Sequence, residues 1–157
     1  MDDTGLLRHA IAISADAVAH GNHPFGALLA SPSGEVLLTA ENTVVTERDV
    51  TGHAETNLVR LASRTLAPAD LAAASLYTSC EPCAMCTGAL YWAGIGRLVF
   101  AMSEADLREM TGAHPDNPTL ALPCRDVLAA GSRRTPVEVV GPLIADEATV
   151  HHAGFWG

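Results

Sequence analysis

The chain has 157 residues, 48% hydrophobic and 17% charged, which is enough for one compact domain with a sizeable core and outside the composition of disordered sequences. Its 18 Asp and Glu against 9 Lys and Arg give a net charge of −9 with no basic run, so a nucleic-acid partner is not expected. The acidic start lacks the marks of a signal peptide, no stretch is apolar enough to span a membrane, and the 4 cysteines do not form a secreted disulfide pattern, so the expected compartment is the cytoplasm.

Leu6, Leu7, Ala10, Ile11, Ile13, Ala17 and Val18 recur at helical spacing, which predicts an amphipathic helix over 4–20, stopped by Gly21 and Asn22. "FGALLASPSGEVLLTAEN" carries two apolar runs around Ser-Pro-Ser-Gly, a hairpin signal whose second strand ends near Glu41. "TERDVTG" reads as a polar loop, and "HAETNLVRLASRTL" as a helix running up to Pro68. "AASLYTS" is a short strand ending before Cys80, and a helix begins just after Pro82 in "CAMCTGALYWAG". "GRLVFAM" is another buried strand. The stretch from Ser103 to Pro123 reads as irregular, with "HPDNP" as a turn. A short helix near Cys124 to Ala130, a strand in "PVEVVGP", and a last helix with an aromatic tail, "IADEATVHHAGFWG", complete the chain. Strands alternating with helices after an initial hairpin indicate a layered α/β fold.

Cys80, Cys83 and Cys86 crowd into "TSCEPCAMCTGALYW". Taken alone, they are compatible with a disulfide clip, a redox pair, buried thiols or metal ligands. His53 and Glu55 in "GHAE" supply what that stretch lacks. Two thiolates at i and i+3 on a first helical turn converge on one cation, and the helix N-terminus helps keep them deprotonated. An imidazole from a second helix start makes a third ligand, leaving a fourth tetrahedral position for water, whose pKa falls to about 7 on zinc. Glu55, two residues from His53, reaches that water without being a ligand and is placed to carry its proton to a ring nitrogen and later to a leaving amine. A closed structural zinc site with Cys80 as fourth ligand remains an alternative, as do plain buried thiols. Cys124 has no neighbour that argues for anything but burial, and His151 and His152 read as solvated.

H-x-E followed by P-C-x-x-C is the signature of zinc nucleobase deaminases. The chain resembles the cytidine deaminase-like superfamily, most closely the bacterial guanine deaminases, with tRNA adenosine deaminases and fungal-type cytosine deaminases as near relatives. "HPFGALLA", Asn42, "GHAETNLV", "LYTSCEPCAMCTGALYWAGI" and the aromatic tail carry the resemblance, which is dense from His23 to Phe100 and thin after Ser103. It implies an α/β fold, a three-layer α/β/α sandwich with a five-stranded mixed sheet, in a single domain over 1–157. It also implies a homodimer or larger oligomer, in some relatives with exchanged C-terminal tails.

By the same resemblance, His53, Cys83 and Cys86 hold one Zn2+ per chain and Glu55 is the catalytic proton carrier. Asn42 would hydrogen-bond the base, Phe25 and Trp92 would wall it, and backbone groups at Ala54 would polarise it. The tail, 145–157, would close over it through Phe155 or Trp156. Guanine deaminases place an acidic reader of the amidine edge in the region after Ser103, for which Asp106, Asp116 and Glu147 are the candidates. The implied activity is hydrolytic deamination of a small-molecule nucleobase, guanine to xanthine first, with cytosine, a purine nucleoside or an aminotriazine as alternatives. A tRNA substrate is disfavoured by the acidic charge, and a zinc-stabilised binding module has no use for Glu55.

Overall fold

In the computed structural model, which describes residues 1–112 and 114–157, the first apolar stripe forms helix α1 (Asp3–Ala19). The Asp2 carboxylate caps it by accepting from the Gly5 N–H. Strands β1 (Gly26–Ala30) and β2 (Val36–Glu41) make the expected hairpin. Then come α2 (Val44–Glu47), α3 (Ala54–Thr65), α4 (Pro68–Ala73) and β3 (Ser75–Cys80). Helix α5 (Ala84–Ala93), strand β4 (Arg97–Met102) and helix α6 (Glu104–Thr111) follow. The described chain ends with α7 (Cys124–Ala129), β5 (Glu138–Val140), α8 (Ala145–Thr149) and a turn-rich tail.

The strands form one five-stranded mixed sheet in the order β2-β1-β3-β4-β5. Strand β1 runs antiparallel to both β2 and β3, whereas β3, β4 and β5 are parallel. Parallel neighbours need crossovers, and α5 supplies the one between β3 and β4. Alternation along the strands sends Ala27, Leu29, Leu76, Leu98 and Phe100 to the face covered by α3, α5 and α7. Leu28, Tyr77, Val99 and Ala101 point to the face covered by α1, α6 and α8, which completes the three-layer sandwich. Gly26 lets α1 press directly on β1: a Cβ there would lie 2.5 Å from the Ala10 carbonyl oxygen. Among the described residues, no helix is long and apolar enough to cross a membrane.

Three local expectations change. The loop "TERDVTG" opens inside α2, which ends where Arg48 takes a left-handed conformation. The helix after Gly52 stops at Thr65, and Pro68 starts the separate helix α4, where its missing N–H costs nothing. The stretch after Ser103 is not irregular throughout. Ser103 Oγ accepts from the Asp106 N–H and caps α6, which covers Glu104–Thr111. Ala113, also in that stretch, lies outside the described residues.

Because β1 runs against β2 and β3, its N-terminal end shares one edge of the sheet with the C-terminal ends of β2, β3 and β4. Phe25, Asn42, Cys80 and Ser103 therefore gather at one rim.

Candidate active site

At that rim two helices begin, and each begins on a ligand-type residue. His53 is the N-cap of α3 and Cys83 the N-cap of α5, both extended and neither spending its side chain on capping. Cys86 lies on the first turn of α5, with its sulfur buried. The ligand atoms of His53, Cys83 and Cys86 all fall within 4.8 Å of one another. His53 Nδ1 is 3.6 Å from Cys83 Sγ and 3.5 Å from Cys86 Sγ. Tetrahedral zinc with sulfur at about 2.3 Å and nitrogen at about 2.1 Å sets those ligand atoms about 3.6 Å apart. These three residues are positioned to bind one metal ion, and their spacing fits zinc. The Cys86 thiol, hydrogen-bonded to Cys83, holds that group down to about 4, with His53 adding to the effect. Cys86 itself is pushed up by the Cys83 interaction and by burial. His53, Cys83 and Cys86 would hold a divalent cation in place of the shared proton, with both sulfurs as thiolates.

Cys80 stays outside this group. It is 1% exposed, burial raises its thiol well above the usual range, and its sulfur is not among the ligand atoms that converge with His53. None of the four cysteines is in a disulfide.

Glu55, in the first turn of α3, is 4% exposed and borders a cavity of about 710 Å³ beside the triad. Burial is the main cause of its raised pKa. Thr78 Oγ1, on β3, lies 2.7 Å from Glu55 Oε1 and 2.9 Å from the Cys80 carbonyl oxygen. A hydroxyl carries one proton and two lone pairs. Thr78 therefore donates to Glu55 when that group is ionised, and when Glu55 is protonated it accepts from Glu55 and donates to Cys80.

Phe25, Asn42 and Asp116 also border the cavity. Asn42 is 1% exposed, and its Oδ1 accepts from the Val44 N–H. That bond orients the amide so that Nδ2 is the group left to donate into the cavity. Ala54 is wholly buried behind the wall.

Other sequence expectations fall away from the cavity. Trp92 is 85% exposed on α5 and is no pocket wall in this chain. Glu147 is tied to Arg8 in an exposed ion pair, and Asp106 sits off the wall in the first turn of α6. Phe155 and Trp156 do not line the cavity either. Trp156 packs on His23 and Phe25 of its own chain, bracing that wall from behind, and the segment Pro115–Leu120 forms the remaining side. His152 is not solvated: it is 2% exposed, and its Nδ1 accepts from the Trp156 indole N–H.

Two acids went unnoticed in the sequence. Glu81 is 8% exposed; its Oε1 accepts from the Glu104 N–H and its Oε2 from the Cys124 N–H. One carboxylate thus joins the starts of α6 and α7 to the metal-binding loop. Glu104, the first residue of α6, borders the cavity and is 6% exposed. The one signal for it was the Ser-x-x-Asp cap at Ser103, which marks a helix start at the end of a strand.

The comparisons with known proteins agree with this geometry. A family model described as "Cytidine and deoxycytidylate deaminase zinc-binding region" matches residues 1–102. A probable cytosine deaminase from Schizosaccharomyces pombe is 45% identical over 98% of this chain and 92% of its own length. The guanine deaminase of Bacillus subtilis is 36% identical over 69% of this chain and 70% of its own. Among solved structures, a guanine deaminase from Nitrosomonas europaea superposes with a TM-score of 0.77 at 26% identity, covering 95% of this chain and 81% of that one.

Proposed function

The chain belongs to the cytidine and deoxycytidylate deaminase zinc-binding family, and from that premise we propose that it hydrolyses the exocyclic amino group of a free nucleobase. The observation that carries this is Glu55, a buried carboxyl held by Thr78 on the wall of a cavity beside a three-ligand metal site. Cytosine ranks first among the bases. The Schizosaccharomyces pombe relative matches over 98% of the chain and so spans the cavity wall after Ser103. Guanine, first on the sequence alone, follows, supported by the likeness to the Nitrosomonas europaea structure over 95% of the chain.

Zinc held by His53, Cys83 and Cys86 supplies a Lewis acid that makes water a nucleophile near neutral pH. Water adds at the amidine carbon, ammonia departs and a carbonyl remains. Glu55 takes a proton at its carboxyl, passes it to the neighbouring ring nitrogen, and delivers another to the departing nitrogen. Thr78 keeps Glu55 in place through both protonation states. Asn42 Nδ2 donates to an acceptor on the ring, and Phe25, braced by His152 and Trp156, flanks it. Dimerisation belongs to the same reading: Trp92 on α5, with Tyr91 against it, offers an apolar surface to a second copy of the chain.

Ammonia release from zinc-loaded protein over cytosine, guanine, adenine, their nucleosides and aminotriazines tests the proposal. Turnover of a free base above its nucleoside is the expected result, and a chain inert to the whole panel refutes it. Sedimentation analysis of wild type against Trp92→Glu reads the dimer separately.

A further inference from the structure

A second cavity, of about 430 Å³, lies at the far end of α5 from the metal ligands and shares no wall residue with the first. Leu128, Val137 and Val139 make much of its wall apolar, and its two charged wall residues are both cations, Arg125 and Arg133. Among the described residues, no carboxylate borders this cavity and neither guanidinium is in an ion pair. The segment from Asn117 to Val137 holds three arginines and one acid, Asp126, in a chain whose net charge is −9. Charge of one sign along an apolar cleft focuses its field there and draws in the opposite charge.

The fold holds both cations in place. Gly131 brings the chain down onto Tyr91, where a Cβ would strike the ring, and the Ser132 N–H donates to the Tyr91 hydroxyl at 3.1 Å. Arg133, the next residue, donates through Nη1 to the Ile95 carbonyl at 2.9 Å and through Nη2 to the Gly94 carbonyl at 3.3 Å. Its guanidinium carbon lies 6.0 Å from the centre of the Tyr91 ring. Arg125 donates through Nη2 to the Gly141 carbonyl at 3.0 Å, and its guanidinium lies 5.7 Å from the centre of the Phe100 ring. These bonds leave donors over: Arg125 Nε and Nη1 and Arg133 Nε have no acceptor among the described residues. An ammonium could cap the last carbonyls of α5 equally well. A planar fork with spare N–H groups suits a carboxylate or a phosphate.

We propose that this cavity is a binding site for a small organic anion, whose carboxylate or phosphate group is held by Arg125 and Arg133 while its apolar body lies on Leu128, Val137 and Val139. A mostly apolar wall with a few fixed charged groups, at this volume, is the usual make-up of a small-molecule site. The cations supply charge-assisted hydrogen bonds, and the apolar wall favours an anion that carries a hydrocarbon or ring over a bare inorganic one. The site stands apart from the deaminase reading, because no residue of the catalytic cavity takes part in it.

The test is isothermal titration calorimetry on zinc-loaded full-length protein, with phenyl phosphate, benzoate, inorganic phosphate and phenol as probes. Phenyl phosphate and benzoate represent the two sources of the anion, and the tighter of them identifies the class. That probe should bind at about one site per chain, at least about tenfold tighter than inorganic phosphate or phenol, which carry the charge or the ring alone. Arg125→Ala and Arg133→Ala should each weaken it by at least about tenfold, and added salt should weaken it in wild type. Melting temperature without probe is measured for each variant. Should Arg133→Ala fail to fold, Arg133→Lys, which retains a donor for the α5 carbonyls but not the fork, takes its place and should still bind more weakly than wild type. Neither phenyl phosphate nor benzoate binding below about 10 mM overturns the proposal. So does an affinity that folded Arg125 and Arg133 variants leave within twofold of wild type, which puts the probe elsewhere, or phenol binding as well as phenyl phosphate. Sedimentation on the same proteins reads the remaining outcome: arginine variants that dissociate a wild-type oligomer while no probe binds assign the cations to a carboxylate of a second copy, and the small-anion site falls.

Discussion

Replacing Thr78 with Val tests how much of the chemistry depends on positioning Glu55. The two side chains have nearly the same shape, and Thr78 is wholly buried, so the change removes one hydroxyl from a site water cannot refill. The hydroxyl lies 2.7 Å from Glu55 Oε1, and hydrogen bonds to charged groups contribute about 1.5–3 kcal/mol. Glu55 must hold its orientation while its charge changes, so a loss of about 2 kcal/mol carried into the transition state lowers kcat about 30-fold. The fold loses about 1–3 kcal/mol as well, because Glu55 and the Cys80 carbonyl each give up a neighbour. The assay is steady-state ammonia release on the accepted base, with metal content measured on the same preparation. Thr78→Ser, which retains the hydroxyl, should recover most of the rate. A Thr78→Val protein that binds zinc and turns over at the wild-type rate would refute the role given to this contact.

Glu55→Gln should retain about one zinc per chain while kcat falls by at least about 100-fold, and retained turnover would remove Glu55 as the proton carrier. Asp3 is held down to about 2, chiefly by its hydrogen bonds from Arg97, so its ionised form stabilises the fold above the ordinary carboxyl value and that contribution is lost as pH falls through about 2. Asp3→Asn should therefore cost about 1–2 kcal/mol in urea unfolding at pH 7, with the gap closing below pH 4; an unchanged midpoint contradicts it. Burial holds His152 down to about 4, so the unfolded tail binds a proton more readily and the packed tail loses stability as pH falls from the ordinary value of 6.5 towards 4. Trp156 emission should shift to the red over that window while Trp92, already 85% exposed, stays constant; a flat wild-type profile, or a red shift that persists in Trp156→Phe, would refute the coupling.

The cavity separates two uses of acid. Glu81 is buried and fully satisfied, and it locks together three chain segments: the metal-binding loop, the start of α6 and the start of α7. Glu55 and Glu104 are buried on the cavity wall with hydrogen-bonding capacity in reserve. Burial raises the cost of charge in both, and that is the condition under which a carboxyl exchanges protons or seeks a ligand.

Sequence alone was sufficient for the metal centre and the layering of the fold. His53, Cys83 and Cys86 are local features: each sits at a helix start signalled by the residues around it, and the spacing of two cysteines on one helical turn is fixed by helix geometry. Sequence pattern likewise placed α1, the hairpin, β3, α5 and β4: the helices by their spacing, and β1, β3 and β4, buried on both faces, as short continuous apolar runs bounded by turn or polar residues. The cavity wall was not legible in the same way. Whether Trp92 or His152 is buried depends on which elements pack against it, and Trp92 proved exposed while His152 became the acceptor for Trp156. Choosing among acids after Ser103 needed the sheet. Glu104 borders the cavity because it follows β4, which runs parallel to β3 and ends at the same rim, while Glu147, on α8, pairs with Arg8 of α1 at the surface. Residue type and spacing decide which groups can bind a metal; only the pairing of distant strands decides which carboxyls border the cavity.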